Sequence, residues 1–311
     1  MTETRTHSTG TSAPPIAVVT GTSSGIGRAT ALALATGGYR VFAGVRQHEH
    51  GQALVREARA LGVNLVPLII DVTDAASISA AASDVTAAAG DDGIAALVNN
   101  AGIGMTWPLE SIPLHELRRI FEVNVFGQVA VIQAFLPLLR SAAGRIVNIG
   151  SIGDRLSLPF GAPLNSSKWA VASITESLRI ELRPWGIHVV LIEPASIRTD
   201  AVQKVDDDAK RVLAEMGPSH LALYGQAYQS MVQRALQQER NGSDPKLVAD
   251  TVLRALSARR PRTRYLAGKD GRLLAFVARW APDRLFDRIR VRLFGLPRKF
   301  GAAHQPIGAA R

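Results

Sequence analysis

Residues 18–27 read VVTGTSSGIG, an apolar segment that runs into a glycine-rich turn and then into a helical pattern. Gly21 suits a tight turn, Gly25 lets backbone approach a phosphate group closely, and Gly27 lets a helix pack on the preceding strand. The amide groups at the start of that helix would attract an anion. The stretch indicates a dinucleotide-binding turn, with an ordinary strand-to-helix corner as the plainer alternative. The candidate nucleotide-binding residues of the turn are Gly21, Ser23, Ser24, Gly25, Ile26 and Gly27.

Outward from this turn, apolar segments of strand length alternate with longer helical patterns. Such alternation is typical of repeated βαβ units and a parallel sheet. The predicted strands are 16–20, 40–44, 64–70, 95–99, 145–150, 188–192 and 263–267, and the clearest predicted helices are 25–36, 113–139 and 165–183. We therefore predict a single doubly wound α/β (Rossmann) domain over residues 16–270, with a helical lid at about 199–241, after the sixth strand.

Composition excludes several classes of function. The chain has 311 residues, 47% of them hydrophobic and none of them cysteine, which allows a large core but no disulfide or thiolate chemistry. Its seven histidines include no pair at metal-ligand spacing, so no metal site is predicted.

The termini and the apolar segments suggest where the protein resides. Residues 1–15 are rich in Thr and Ser and predict a disordered leader rather than a signal peptide. Charges interrupt the apolar stretches, so no transmembrane helix of about 18 residues is predicted. We expect a cytoplasmic protein.

The net charge of +10 is concentrated near the C-terminus. Residues 254–299 hold fourteen Lys or Arg against three Asp, a local excess of +11, so the main domain is nearly neutral and is not expected to bind nucleic acid. Within a basic amphipathic extension, 271–311, residues 273–296 place Leu285, Phe286, Ile289 and Leu293 on one stripe, and Pro282 predicts two short helices. This segment could bind a membrane peripherally or, as we favour, dock on the lid or on a partner subunit.

The spacing of the glycines and the motifs that follow resemble the short-chain dehydrogenase/reductase family, in particular the branch of retinol and 17β-hydroxysteroid dehydrogenases. The matches run in order from about residue 16 to 297. They include Asp71 and Val72 as the adenine-contacting pair, Asn99, Ala101 and Gly102 in the fourth-strand motif, Asn124, Ser151, Lys168, and Pro194, Ile197 and Thr199 in the loop that contacts nicotinamide. The resemblance implies a lipophilic small-molecule substrate and a homo-oligomer.

The residue at the end of the second predicted strand bears on the choice of cofactor. An acidic residue there would hold the ribose of NAD, but this chain has Val45 followed by Arg46. An arginine is suited to a 2′-phosphate, so NADP (NADPH) is the expected cofactor. The alternative is that Arg46 is an ordinary solvated side chain.

The resemblance implies that Ser151 orients a substrate oxygen, that Lys168 holds the nicotinamide ribose and that Asn124 holds a water leading to solvent. Leu164 lies four residues before Lys168 and thirteen after Ser151, where the family carries its catalytic tyrosine. Leucine cannot transfer a proton, a role usually worth about 10² to 10⁴ in rate. Ala195 also replaces a usual glycine, which is expected to narrow the loop near the nicotinamide.

Three residues are weighed as substitutes for the missing tyrosine. Asn165 lies about 100° around the helix from position 164 and is expected to face elsewhere. Tyr224 is interpreted as a packing residue of the lid, and Asp154 as a solvated loop carboxylate unless burial raises its pKa.

Three functions remain open at this stage. The first is an NADP(H)-dependent oxidoreductase of a lipophilic molecule with a non-standard site. The others are a non-redox catalyst, such as an isomerase, cyclase or lyase, and a pseudoenzyme that binds nucleotide.

Overall fold

The computed structural model describes residues 13–198 and 201–297, and for residues 201–204 the backbone alone. The expected contact residue Thr199 and residues 1–12 of the expected leader lie outside this part of the chain.

A single seven-stranded sheet, parallel throughout, forms the centre of the fold, with the strand order β3-β2-β1-β4-β5-β6-β7. The strands are β1 (Ile16–Val19), β2 (Arg40–Val45), β3 (Leu65–Ile69), β4 (Ala96–Asn99), β5 (Arg145–Ile149), β6 (His188–Pro194) and β7 (Arg264–Ala267). The strand order reverses direction between β1 and β4, and the crevice at such a point is where doubly wound sheets bind ligands. The predicted doubly wound α/β class is confirmed.

Helices cover both faces of the sheet, as the apolar composition of its strands requires. One core cluster packs α1 and α9 against one face, and a second packs α3 and α5 against the other. The helices are α1 (Gly25–Thr36), α2 (His48–Ala60), α3 (Ala75–Ala89), α4 (Leu114–Phe121), α5 (Gly127–Ser141), α6 (Ala162–Glu181), α7 (Ala201–Glu215), α8 (Pro218–Arg240), α9 (Pro245–Ser257), α10 (Gly271–Trp280) and α11 (Asp283–Leu293).

The predicted helix over 113–139 is interrupted. A π-helical turn, Glu122–Phe126, separates α4 from α5 and carries Asn124. The continuous stretch Leu114–Ser141 is long and apolar enough by composition to cross a membrane, contrary to the expectation that charges break each apolar stretch too early. Half of its most apolar window is buried inside the protein, which is typical of a core helix packed on a sheet.

Helices α7 and α8 follow β6 at the position expected for a lid. A third apolar cluster joins them to the segment after β4 through Trp107, Tyr228 and Met231, and it includes Phe294 of the C-terminal segment. Glu116 of α4 accepts a hydrogen bond at 2.9 Å from Arg211 of α7. Two short helices, α10 and α11, flank Pro282.

Candidate active site

The glycine-rich turn connects β1 to α1 at the crevice between β1 and β4. Gly25 has φ = +55°, a left-handed conformation that favours glycine. A Cβ on Gly27 would lie 2.1 Å from the carbonyl oxygen of Gly21, so helix and turn can approach this closely only at a glycine. Ser24 is the N-cap of α1, but its side chain does not cap the helix, and both Ser23 and Ser24 are exposed. The amides of the first helical turn, including that of Ile26, therefore suit a phosphate.

Asn100, at the end of β4, braces this turn. Its side chain donates to the carbonyl oxygens of Thr20 at 3.0 Å and Gly21 at 2.9 Å. In return, Thr20 Oγ1 accepts from the backbone amides of Asn100 and Ala101, each at 3.0 Å. Asn100 was not among the site residues predicted from the sequence, although it belongs to the fourth-strand motif. Its role is to hold the turn rather than to offer a free side chain.

Asn99 is one predicted contact whose side chain faces away from the crevice. It is buried and donates to Asn148 Oδ1 at 3.0 Å, and Asn148 donates to Thr175 Oγ1 at 2.8 Å. This buried amide chain ties β4 to β5 and α6. A nucleotide contact at Asn99 would therefore have to come from its backbone, while Ala101 adjoins Gly21 of the turn and Gly102 is exposed.

The ends of β2 and β3 carry the expected adenosine contacts. Val45 is buried and Arg46 is exposed. Asp71 accepts from the amide and hydroxyl of Thr73 at 2.9 and 2.7 Å, and the backbone hydrogen bond is the main cause that lowers its pKa, with a further contribution from the charge of Arg46. Val72 is buried beside it. The exposed Arg46 therefore lies near the fixed carboxylate of Asp71.

Ser151, Lys168 and Asn124 lie around the ends of β4 and β5. Ser151 Oγ accepts from the amide of Gly153 at 3.0 Å, which leaves its hydroxyl proton to donate. Lys168 Nζ donates to the carbonyl oxygen of Ile149 at 2.9 Å, and burial lowers its pKa to about 8. Both polar atoms of the Asn124 side chain form hydrogen bonds. Its Oδ1 accepts from Ile103 N at 2.8 Å, and its Nδ2 donates to Ile103 O and Ser167 Oγ, each at 2.9 Å. A methyl group on Gly102 would lie 3.2 Å from Asn124 Oδ1 and 3.8 Å from Lys168 Nζ, so one small space adjoins both groups.

Leu164 lies one helical turn before Lys168 on α6. Its Cδ2 would be 3.7 Å from a Cβ placed on Gly104, which puts the side chain beside the segment that follows β4. The position that would hold a phenol therefore presents only carbon to the site.

Two of the weighed substitutes are engaged elsewhere. Asn165 is buried and donates to the carbonyl oxygens of Gly153 at 3.0 Å and Leu156 at 3.2 Å, so it holds the loop after β5, away from position 164 as expected. Tyr224 packs edge-on against Phe160 and donates a hydrogen bond to Glu110, as a lid residue would.

Tyr228 is a residue that the sequence analysis missed. It is fully buried, and its hydroxyl donates to the carbonyl oxygen of Thr106 at 3.0 Å. Burial raises its pKa to about 12, which makes it a poor acid. Its spacing of four residues from Tyr224, about one turn of a predicted lid helix, is a sequence signal that could have identified it.

Asp154 corrects the sequence interpretation. The solvated loop carboxylate that we favoured is buried, and its side chain is 0% exposed. It ends a short 3₁₀ turn, Ile152–Asp154, and burial raises its pKa to about 8. The residues that bury it come from β6, β7 and α6, far along the chain.

The loop after β6 contains Pro194, which is buried, and Ile197, whose side chain joins a core cluster. The methyl group of Ala195 faces the turn after β7, where added Cβ atoms on Gly268 and Gly271 would lie 3.3 and 3.4 Å from it. Two glycines thus accommodate the methyl that was expected to narrow the loop.

An apolar groove of about 630 Å³ lies next to the start of α6. Its lining residues are Trp107, Leu109, Ser157, Leu158, Phe160, Ala162, Ser166 and Trp169. Ala162, Ser166 and Trp169 recur at helical spacing on a face of α6 different from that of Leu164 and Lys168. The groove therefore adjoins the candidate catalytic residues without containing them.

Known proteins resemble this chain over most of its length. Residues 15–210 match the family model described as short chain dehydrogenase. Retinol dehydrogenase 5 of Mus musculus is 33% identical over 277 residues, 87% of this chain and 86% of that protein. The NADPH-dependent 3-dehydrocapnine reductase of Ornithobacterium rhinotracheale is 31% identical, covering 88% and 95%, and 17-beta-hydroxysteroid dehydrogenase type 6 of Bos taurus is 35% identical, covering 90% and 88%.

Solved structures also resemble it. A short-chain dehydrogenase of Burkholderia cenocepacia in complex with NADP has a TM-score of 0.66 and 28% identity, covering 89% of this chain and 97% of that one.

Proposed function

Because the chain belongs to the short-chain dehydrogenase family, we propose that it is an NADP(H)-dependent oxidoreductase that acts on a lipophilic small molecule without a protein phenol as acid or base. The single observation that supports the absence of a protein phenol is Leu164, an aliphatic side chain one helical turn before Lys168. The relatives named for retinol, a steroid and NADPH, and the NADP-bound structure, support the choice of substrate class and cofactor.

The residues present fit the cofactor. The uncapped first turn of α1 would hold the pyrophosphate, Asp71 and Val72 the adenine, and Arg46 the 2′-phosphate. Lys168 would hold the nicotinamide ribose, and the loop from Pro194 would contact the nicotinamide. When bound, the nicotinamide supplies or accepts a hydride.

The protein groups that remain can orient a substrate but offer little acid. Ser151 can donate its hydroxyl proton to a substrate oxygen, while Asn124 fixes the segment after β4 through its two hydrogen bonds to Ile103. A developing alkoxide would find no phenol to protonate it. A substrate such as an iminium or a conjugated C=C bond needs that proton least, because the first already carries it and the second can take it from elsewhere.

A matched substrate panel tests the proposal. The purified protein would be incubated with NADPH and pairs of ketones, imines and enones that share one carbon skeleton, and loss of NADPH absorbance would be followed. We expect turnover of imines or enones and little or no turnover of unactivated ketones. Ketone turnover that survives mutation of Tyr224 would disprove the special role of position 164. NADPH binding without turnover of any pair would favour a non-redox catalyst or a nucleotide-binding pseudoenzyme.

A further inference from the structure

A cluster of charged side chains lies beneath the segment that carries Ser151. Its carboxyl groups are those of Asp154 and Glu193, whose side chains are 0% and 1% exposed. Its guanidinium groups are those of Arg155 and Arg264, each 25% exposed, and Arg264 also binds the exposed Glu176 at 3.0 Å. The strands β6 and β7, the helix α6 and the turn after β5 meet here.

The arginines make shorter hydrogen bonds to the carboxyl group of Glu193 than to that of Asp154. Arg155 donates to both oxygens of Glu193 at 2.7 and 2.9 Å, and Arg264 Nη1 donates to Glu193 Oε1 at 2.6 Å. The same Arg264 Nη1 reaches Asp154 Oδ1 only at 3.4 Å. Within the described residues, Asp154 Oδ2 has no hydrogen-bond donor although it is buried. Glu193 thus has two close cations, whereas Asp154 has one long contact and an oxygen without a donor.

An ionised carboxylate in the position of Asp154 would be costly, because buried charge must be paired and hydrogen-bonded. A protonated carboxyl group in the same place is neutral and turns one oxygen into a donor. Glu193, already ionised between two arginines, offers an acceptor. We propose that Asp154 and Glu193 share one proton, and that Asp154 is thereby a positioning residue that sets the charge of Lys168 in the candidate active site.

The electrostatics agree with this geometry. Burial, with the hydrogen bond and the charge of Glu193, raises the pKa of Asp154 to about 8 against the opposing charges of Arg264 and Arg155. Burial pushes the pKa of Glu193 upward, but the hydrogen bonds from Arg155 and Asp154 outweigh it and leave that pKa below its usual value. One proton therefore belongs to the pair, and it resides mainly on Asp154.

Lys168 lies close to this pair: its Nζ donates to the carbonyl oxygen of Ile149 at 2.9 Å, and a Cβ on the next residue, Gly150, would lie 3.0 Å from Asp154 Oδ2. Burial lowers the pKa of Lys168 to about 8, and the negative charge of ionised Asp154 opposes that shift. Charged groups around Asp154 come from every element packed against it: its own segment (Arg155), β6 (Glu193), β7 (Arg264) and α6 (Glu176 and Lys168). Helix α10 also packs on this segment, but its arginines, Arg272 and Arg279, are exposed. When Asp154 loses its proton, Lys168 holds its own more firmly. In a site without a phenol, this keeps an ammonium group available to higher pH.

Infrared spectroscopy of the unliganded protein tests the shared proton without any substrate. At neutral pH we expect a carbonyl band of a protonated carboxylic acid that disappears as the pH rises through about 8. Carbon-13 labelling of aspartate should shift this band, because Asp154 is the buried aspartate of residues 13–198 and 201–297, whereas labelling of glutamate should not. An unshifted or absent band in aspartate-labelled protein would overturn the proposal, and this measurement needs no variant.

Unfolding equilibria give a second test. The unfolded Asp154 ionises near the ordinary aspartate pKa of 3.8, whereas the folded residue keeps its proton up to a pKa of about 8. Folding therefore takes up a proton between these pH values, and stability falls as pH rises. The unfolding constant of the unaltered protein, divided by that of Asp154→Asn, should therefore rise about tenfold per pH unit between roughly pH 5 and 7. Glu176→Gln, which removes an exposed carboxylate from the same arginine, should leave the pH dependence unchanged. A ratio that does not vary with pH would contradict the proposal.

The effect on Lys168 rests on the proposed function and is measured separately. In Asp154→Asn, the alkaline limb of the pH–rate profile for hydride transfer should shift to lower pH. In Glu176→Gln, this limb should stay in place. An unmoved limb in Asp154→Asn would show that Asp154 does not act on Lys168, even if the infrared band is present. Absence of hydride transfer in every variant would instead count against the proposed function alone.

Discussion

Our proposal assigns the loss of one proton-transfer group to a single side chain, that of Leu164. Ser151, Lys168 and Asn124 lie around the ends of β4 and β5, and Lys168 donates a hydrogen bond to the carbonyl oxygen of Ile149. Leu164 lies one helical turn before Lys168 on α6, where the resemblance places a phenol. Under the proposed function the scaffold supplies orientation, and the substrate or solvent supplies the proton.

Restoring the phenol tests this interpretation. Leu164→Tyr should introduce reduction of unactivated ketones by NADPH, because general acid catalysis typically contributes about 10² to 10⁴ in rate. Leu164→Phe has nearly the same bulk without the hydroxyl and serves as the control. Steady-state NADPH oxidation compares the two, and equal rates would mean that position 164 is not where the missing proton donor belongs.

We expect Arg46 to decide between the two nicotinamide dinucleotides. Its exposed guanidinium follows the buried Val45, and no carboxylate occupies the strand end to repel a 2′-phosphate. A charge-assisted hydrogen bond is worth about 1.5–3 kcal/mol, so Arg46→Ala should weaken NADPH binding by roughly 10-fold or more and leave NADH nearly unaffected. Titration calorimetry measures both, with Arg56→Ala on α2 as an exposed-arginine control. Equal affinities of the unaltered protein for NADH and NADPH would refute the assignment.

Residues differed in how far the sequence could predict them. The turn glycines were predictable because backbone conformation restricts the choice of residue. Asp154 was not, since Arg264, 110 residues away, and Glu193 bury it, and such contacts leave no local signal. Asn99 was assigned from its motif, but its amide pairs with Asn148 across the sheet.

At the scale of elements, the strands followed the apolar pattern closely because parallel strands are buried on both faces. The helices were less predictable where hydrogen bonding changes register. The π turn Glu122–Phe126 interrupts a pattern that looks continuous in sequence, and it places Asn124 where its amide meets Ile103 and Ser167.

The C-terminal helices bury only part of their apolar surface. Phe286 is buried, and Phe294 joins the third apolar cluster, which also contains residues of α7 and α8. Leu285, Ile289 and Leu293 of the same stripe stay exposed, as do Leu273, Phe276 and Trp280 of α10. Exposed arginines accompany both helices at Arg272, Arg279, Arg284, Arg288 and Arg292. Two copies meeting through this face would bring like charges together, so we propose an anionic membrane surface as its partner.

Vesicle binding tests this surface. The protein should sediment with vesicles containing phosphatidylserine and far less with pure phosphatidylcholine, and added salt should weaken the binding. Each large apolar side chain contributes about 1.5–3 kcal/mol when buried, so Phe276→Ser with Trp280→Ser should reduce binding by at least about 100-fold. Leu61→Ser, an exposed leucine on α2's C-terminal cap, is the control. Undiminished binding of the double variant would exclude α10 as the contact.

In the whole molecule, the lid is tied to the sheet domain by apolar contacts and ion pairs. Glu116 of α4 binds Arg119 at 2.8 Å and Arg211 of α7 at 2.9 Å, and burial of Trp107 and Tyr228 joins α8 to the segment after β4. A groove of about 590 Å³ runs between α5 and α6, lined by apolar side chains and by the opposite charges of Arg140 and Glu181.

This groove is the surface through which we expect two copies to associate. A two-fold axis between paired α5–α6 faces would set Arg140 of each copy near Glu181 of the other, so the face is complementary to itself. Ser177 is exposed in the groove, and Ser177→Arg should block a partner helix without disturbing the monomer. Sedimentation equilibrium should give a dimer or higher oligomer for the unaltered protein and a monomer for Ser177→Arg. Ser83→Arg, an equally exposed serine on α3, should keep the assembly, and an unaltered protein that sediments as a monomer at micromolar concentration would rule this interface out.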